Sequence, residues 1–212
     1  MRTTKRTIAG LLAAAMTAMT VGTMTVSADW TEYSISNGYW SAFISNGAGS
    51  PEDLNADVVR TSAEAHSGKY SAYSSADFVL AGNTWIDIQY DIPKEVLKPN
   101  TTYSIKYWVK ANRGGIHYLK TTYGGSDGGH VDEGLVWYKG FDWTQQTKTF
   151  TTGDTVLSHL RLRFRSEGYE TAWHGPEPAE MWIDDISVHE VVDGVESATN
   201  LVADYNCGRL SS

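Results

Sequence analysis

The chain is written in short runs that alternate apolar and polar residues, punctuated by Gly, Asn, Pro and Ser, while apolar stripes at helical spacing are nearly absent. Successive side chains of a strand point to opposite sides, so each run specifies one core face and one outer face. Residues 85–92 put Ile86, Ile88, Tyr90 and Ile92 on one side and Trp85, Asp87, Gln89 and Asp91 on the other. A turn at Lys98-Pro99-Asn100-Thr101 leads into residues 103–110, where Tyr103, Ile105, Tyr107 and Val109 alternate with Ser104, Lys106, Trp108 and Lys110. In residues 159–165, Leu160, Leu162 and Phe164 oppose Arg161, Arg163 and Arg165. Residues 181–188 set Trp182, Ile186 and Val188 on one face with Asp184, an acid that needs a partner among core positions. Weaker runs cover 57–60, 70–74, 116–122, 135–139 and 148–151, and residues 124–129 read as a polar hairpin loop. About eight short strands with turn residues between them predict an all-β fold, a jelly-roll β-sandwich of two antiparallel sheets.

At the amino end, Arg2, Lys5 and Arg6 precede an uncharged, mostly apolar stretch that closes on Val26-Ser27-Ala28. A basic start, an apolar middle and small residues at a cleavage point make up a secretory signal peptide. Residues 1–28 are therefore expected to be removed, leaving a chain secreted from a bacterial cell with no membrane insertion; Thr17, Thr20, Thr23 and Thr25 dilute the stretch relative to a spanning helix. Cleavage takes away three basic residues and no acid, so 17 Lys plus Arg become 14 against 25 Asp plus Glu, a net of −11. Such a chain repels phosphate backbones, which excludes nucleic acid as a partner. Cys207 is the sole cysteine, so no internal disulfide staples the fold and packing alone must hold it. Neither zinc-ligand spacing nor a phosphate-cradling Gly-rich loop occurs. His66, His117, His130, His159 and His189 show no ligand spacing and read as surface or turn residues. Residues 29–192 form one expected domain; 193–212 read as an acidic linker, or the truncated start of a further module.

Four stretches, in order, carry a family resemblance: residues 65–71 (Ala-His-Ser-Gly-Lys-Tyr-Ser), 97–111 from Leu97 through Trp108 to Ala111, 143–150 from Trp143 to Phe150, and 183–188 (Ile-Asp-Asp-Ile-Ser-Val). Together they resemble the carbohydrate-binding modules of families 4, 9, 16 and 22. The resemblance implies a jelly roll whose concave sheet grips a polysaccharide, often with a structural calcium ion away from the sugar. It makes Asp184 and Glu32 the candidate metal ligands, with backbone carbonyls near residues 67–69, because calcium draws several oxygens from separate segments. The start of the mature chain, Asp29-Trp30-Thr31-Glu32, departs from the family's usual opening, and the alternative for Asp184 is a hydrogen-bond acceptor in a turn or bulge. Asn200-Leu201-Val202 resembles the opening of another such module, which implies a longer parent protein with a linked catalytic domain.

A pyranose presents an apolar C–H face and a rim of hydroxyls, so its site combines aromatic platforms with fork-like or amide hydrogen-bonding groups. Trp85 shares its polar-face parity with Asp87 and Gln89, and residues 83–89 resemble the family's Trp-containing cleft strand; Trp85 is the first candidate platform. Arg163 and Arg165, with Arg161 beside them, offer guanidinium forks to hydroxyls or uronate carboxylates, or form a solvated face. Trp137, Tyr138 and Trp173 belong to aromatic loops placed to wall such a cleft. Trp108 is expected to pack beneath a loop, and Trp143 and Trp182 to be core. The implied partner is a β-linked plant polysaccharide, xylan or β-glucan, bound without catalysis. Two other readings stay open. A jelly-roll glycoside hydrolase or lyase needs two carboxylates about 5–10 Å apart; Asp87 and Asp91 sit roughly 13 Å apart at strand rise, leaving loop acids Glu167, Glu170 and Glu177. A cell-surface adhesion or spacer domain would use the same aromatics as a contact patch.

Overall fold

In a computed structural model of the chain, the alternating runs become strands whose apolar faces meet between two antiparallel sheets. The structure describes residues 33–34, 39–45, 54–56, 58–76, 85–112, 115–124, 126–136, 140–167 and 179–202, which all belong to one unit, Glu32–Ser212. The seven-stranded sheet runs β1 (Tyr33–Ser34), β4 (Val59–Thr61), β5 (Ser71–Ala76), β12 (Ala179–Val192), β7 (Thr102–Ala111), β10 (Phe141–Thr151), with β13 (Val195–Glu196) paired to β12. The six-stranded sheet runs β3 (Leu54–Ala56), β2 (Trp40–Ser45), β6 (Trp85–Ile92), β11 (Leu160–Glu167), β8 (Gly115–Tyr123), β9 (Ser126–Val136). The connections that cross between sheets give the jelly-roll sandwich.

The core is built from the faces that the alternation marks. Ile86, Ile88, Tyr90, Ile92, Leu160, Leu162, Phe164 and Leu119 of one sheet meet Tyr103, Ile105, Tyr107, Val109, Met181, Ile183 and Val188 of the other. Tyr107 and Phe164 meet edge to face across the interface at 4.7 Å between ring centroids, a preferred aromatic geometry. The expected turn forms with Asn100 at φ +48°, the left-handed position that follows Pro99 in a type II turn. Its carbonyls are tied down by Thr152, whose Oγ1 donates to Lys98 O at 2.6 Å.

Three expectations change. Trp182 and Asp184 do not share a face with Ile186 and Val188, because β12 carries a bulge: Asp184 pairs with Trp108 and Ser187 with Lys106, so three steps on β12 match two on β7. The extra residue, Asp185, has φ +48°, and the bulge reverses the parity of everything after it. Trp182 therefore lies against Tyr73 on the outside of the seven-stranded sheet, with Lys110 above its ring. The polar loop at 124–129 is shorter than expected: Tyr123 already pairs with Ser126, and Gly124 at φ +60° makes the turn. The chain after Val192 also keeps folding. Asp193 and Gly194, at φ +51° and +79°, form the two-residue turn that a tight hairpin requires, β13 returns along β12, and Val202 is only 2% exposed in the core.

Candidate functional site

The outer face of the six-stranded sheet collects the polar sides of β2, β6, β11 and β8 in register. One row reads Phe43, Asp87, Arg165, Tyr118; the next Ser41, Gln89, Arg163, Lys120; a third Asp91, Arg161, Thr122. β11 lies between β6 and β8, so its three arginines occupy the middle of the face.

Asp87 is the hub of this face. Its side chain is 0% exposed, and it accepts four hydrogen bonds from two guanidiniums. Arg165 grips it as a fork, Nε to Oδ1 at 2.7 Å and one terminal nitrogen to Oδ2 at 2.8 Å. Arg163 adds Nε and a terminal nitrogen to Oδ2 at 3.1 and 2.8 Å. Arg161 forms a separate fork with Asp91 at 2.7 and 2.8 Å. Burial works against the charge of Arg165, but the hydrogen bond and field of Asp87 outweigh it and hold the guanidinium above its ordinary pKa. Two-point bonds of this kind are short and fix the orientation of the guanidinium plane.

Trp85 is half-buried in the adjoining row, opposite Glu167, and the Arg165 guanidinium sits over its ring at 4.3 Å from the centroid. One face of the indole is thus covered by protein. Its Nε1 is buried with no hydrogen-bond acceptor among the described residues. Gln89 is only 7% exposed and accepts a long 3.4 Å bond from Ser41 Oγ. Tyr118 and Glu167 complete the face and were not singled out as site residues from sequence. Tyr118 Oη donates to Glu167 Oε2 at 2.5 Å, and burial, followed by this bond, pushes the phenol up to about 12. The alternation of Tyr118, Lys120 and Thr122 against Leu119 and Thr121 was the available signal. Glu167 lies in β11 opposite Trp85, not in a loop. Trp137, Tyr138, Trp173, Glu170 and Glu177 lie outside the described residues.

The family model described as "Carbohydrate binding domain" matches residues 30–172. The chain belongs to this family. Comparison with curated proteins found no match. Among solved structures, the chain is similar to a family 16 carbohydrate-binding module (20% identity, 62% of this chain and 84% of that one, TM-score 0.42). It is also similar to the CBM22-1 xylan-binding domain of Paenibacillus barcinonensis Xyn10C (15% identity, 76% and 89%, TM-score 0.46). A third similar structure is a Stig cyclase, Fisc from Fischerella sp. TAU (17% identity, 78% and 91%, TM-score 0.50). At 17% identity the likeness to the cyclase, at a TM-score of 0.50, speaks to the fold alone.

In this carbohydrate-binding domain the opposite sheet carries a second polar cluster, around Asp184. Its Oδ2 accepts the backbone N–H groups of His66 and Ser67 at 2.8 and 3.1 Å, and its Oδ1 that of Asp185 at 2.8 Å. Asp185 accepts Ser67 Oγ at 2.6 Å and meets His66 Nδ1 at 2.7 Å. The His66 ring stacks on Trp108 at 3.6 Å, and Trp143 meets it edge-on at 5.9 Å. Trp108 does pack beneath a loop, whereas Trp143 is half-buried on this outer surface and not in the core. Burial, the largest effect, raises the Asp184 carboxyl above its ordinary value despite the three N–H donors. The cluster locks the 62–70 loop onto the bulge. As a calcium site it supplies one carboxylate oxygen that takes a single bond, and among the described residues no group of three or more metal-binding side chains is present. Glu32, the other expected ligand, lies outside the described residues. His117 is likewise no surface residue: it is fully buried on the inner face of β8, with Tyr107 Oη and Ser166 Oγ each 3.4 Å from its ring nitrogens.

Proposed function

We propose that the outer face of the six-stranded sheet binds a polysaccharide chain without acting on it, and that this delivers an attached or partner glycoside hydrolase to a β-linked plant cell-wall glycan such as xylan or β-glucan. The observation that carries the reading is the continuous unit Trp85–Arg165–Asp87–Arg163, which sets an aromatic ring near the Arg163 guanidinium and holds that guanidinium in fixed orientation. An apolar platform next to rigid donors is what a pyranose needs, and donors fixed before binding lose little entropy on contact. Asp87 serves by orienting both arginines, since its own oxygens are fully engaged and unexposed.

The same bonds favour binding over hydrolysis. A glycosidase needs one carboxyl group that gives a proton and another that is free to attack or activate water. Asp87 and Asp91 are both tied to guanidiniums, and Glu167 accepts the Tyr118 hydroxyl. The preference for a β-linked polymer follows the family pattern, as does the proposal of calcium at Asp184; secretion follows from residues 1–28.

The test is affinity electrophoresis of the chain through gels containing xylan, β-glucan, cellulose derivatives, mannan or pectin, with reducing-end release assayed alongside. Retardation without release is the expected result. Release of reducing ends would make the domain an enzyme, and a lack of retardation by every polymer would leave adhesion or a spacer role as the better account.

A further inference from the structure

The charge on this face does not balance. Asp91 and Arg161 neutralise each other and Glu167 and Lys120 add one charge of each sign, but Asp87 contributes a single negative charge to two guanidiniums, so among the described residues the face carries one net positive charge. Arg165 has no capacity left: Nε and one terminal nitrogen bind Asp87, the other is 3.5 Å from Tyr118 Oη, its plane lies over Trp85, and its side chain is 7% exposed. Arg163 differs. Both of its bonds go to the same oxygen, Asp87 Oδ2, so its other terminal nitrogen has no protein acceptor among the described residues, and its side chain is 20% exposed. Its register neighbours are Gln89 on β6 and Lys120 on β8, with Ser41 and His130 one strand further out; no position in that row is an acid.

A glycan laid across this face removes the remaining water from Arg163. Hydroxyl groups can replace those hydrogen bonds but leave the charge unmatched in a drier setting, which is costly. A carboxylate replaces both at once, and its two oxygens suit the guanidinium edge. The acidity of the whole chain does not cancel this, because in physiological salt exposed charges beyond about 8 Å are largely screened and the local cluster dominates at contact.

We propose that Arg163 is the anion-recognising residue of this face and that the polysaccharide it takes carries uronate carboxylates. This rests on the reading that the face binds glycan, and it narrows the glycan class.

The experiment compares glucuronoxylan, alginate and polygalacturonate with their carboxyl-reduced counterparts in affinity gels, using the full chain, Arg163→Gln and Arg163→Lys. Loss of one charge-assisted hydrogen bond predicts that at least one native polymer binds about tenfold or more tightly than its carboxyl-reduced form, with the difference shrinking as salt rises. Arg163→Gln is expected to abolish that preference and Arg163→Lys to retain part of it. Asp87 keeps its fork to Arg165 in both variants, and their melting temperatures report whether folding is intact. Equal binding to native and carboxyl-reduced polymers, or a preference that survives Arg163→Gln, overturns the proposal while neutral-glycan binding still supports the site. Failure to bind any polymer, neutral or acidic, overturns the site itself.

Discussion

Removing the charge of Asp87 tests the construction of the face at its most connected atom pair. In Asp87→Asn one of the two acceptor oxygens becomes an NH2 group that points at guanidinium donors, and the remaining amide oxygen is neutral. Two guanidiniums, one of them nearly buried, then face each other without a counter-ion. Breaking a buried ion pair by removing one partner costs about 3–5 kcal/mol, because the charge left behind is desolvated and unmatched. For a domain of this size that corresponds to a fall in Tm of roughly 6–20 °C. Urea denaturation followed by tryptophan fluorescence gives the midpoint and slope for the wild type, Asp87→Asn, Arg163→Gln and the double variant. Since Arg163→Gln removes one of the two opposed charges, the double variant is expected to be less destabilised than the sum of the singles, with coupling of about 1–3 kcal/mol. A loss below about 1 kcal/mol for Asp87→Asn, or simple additivity, would refute the claim that Asp87 is the shared counter-ion of this face.

Other consequences can be checked with the same denaturation assay. Burial holds His117 down at about 3, so the native state excludes the proton that the unfolded chain takes up below about 6.5. Stability is therefore expected to fall as the pH drops from about 6.5 towards 3, by about 2 kcal/mol at pH 5 from this residue; an identical pH slope in wild type and His117→Gln would contradict it. Gly140 has no room for a Cβ, which would lie 2.2 Å from Ala111 O and 2.3 Å from the Asn112 carbonyl carbon, both backbone. Gly140→Ala is expected to lower stability by about 1–3 kcal/mol, read as a lower urea midpoint, and an unchanged midpoint would mean that the close approach is absent. Asp184→Asn is expected to destabilise by about 1–3 kcal/mol with or without a chelator, since its acceptor bonds hold the 62–70 loop. A fall in Tm on chelation that calcium reverses would show that the proposed ion adds to this lock, and a melt indifferent to both would remove it.

Much of the fold was legible because period-two patterning and burial express the same physical fact. Residues 85–92, 103–110 and 159–165 reveal their core faces in the sequence, and those faces do meet. What the pattern could not show is where the period slips. The bulge at Asp185 inserts one residue, and Trp182 and Asp184 consequently lie outside while Ile186 and Val188 lie inside. His117 has a polar side chain on an inward position, and partners such as Tyr107 and Ser166 make its burial tolerable. At the site, strand parity was enough to bring Trp85, Asp87, Arg163 and Arg165 to one face. It could not reveal that Asp87 is sealed beneath two arginines, or that Arg165 covers one face of Trp85, because those facts depend on which strands are neighbours. The placement of β11 between β6 and β8 decides them.

The most direct test of the central claim is isothermal titration of a binding polysaccharide into the wild-type chain and into Trp85→Ala, with Trp108→Ala from the opposite sheet as the comparison. A sugar stacked on Trp85 predicts that Trp85→Ala weakens binding by about 1–3 kcal/mol, while Trp108→Ala leaves affinity unchanged. Unchanged affinity in Trp85→Ala, or a loss confined to Trp108→Ala, would place the glycan elsewhere and contradict the account.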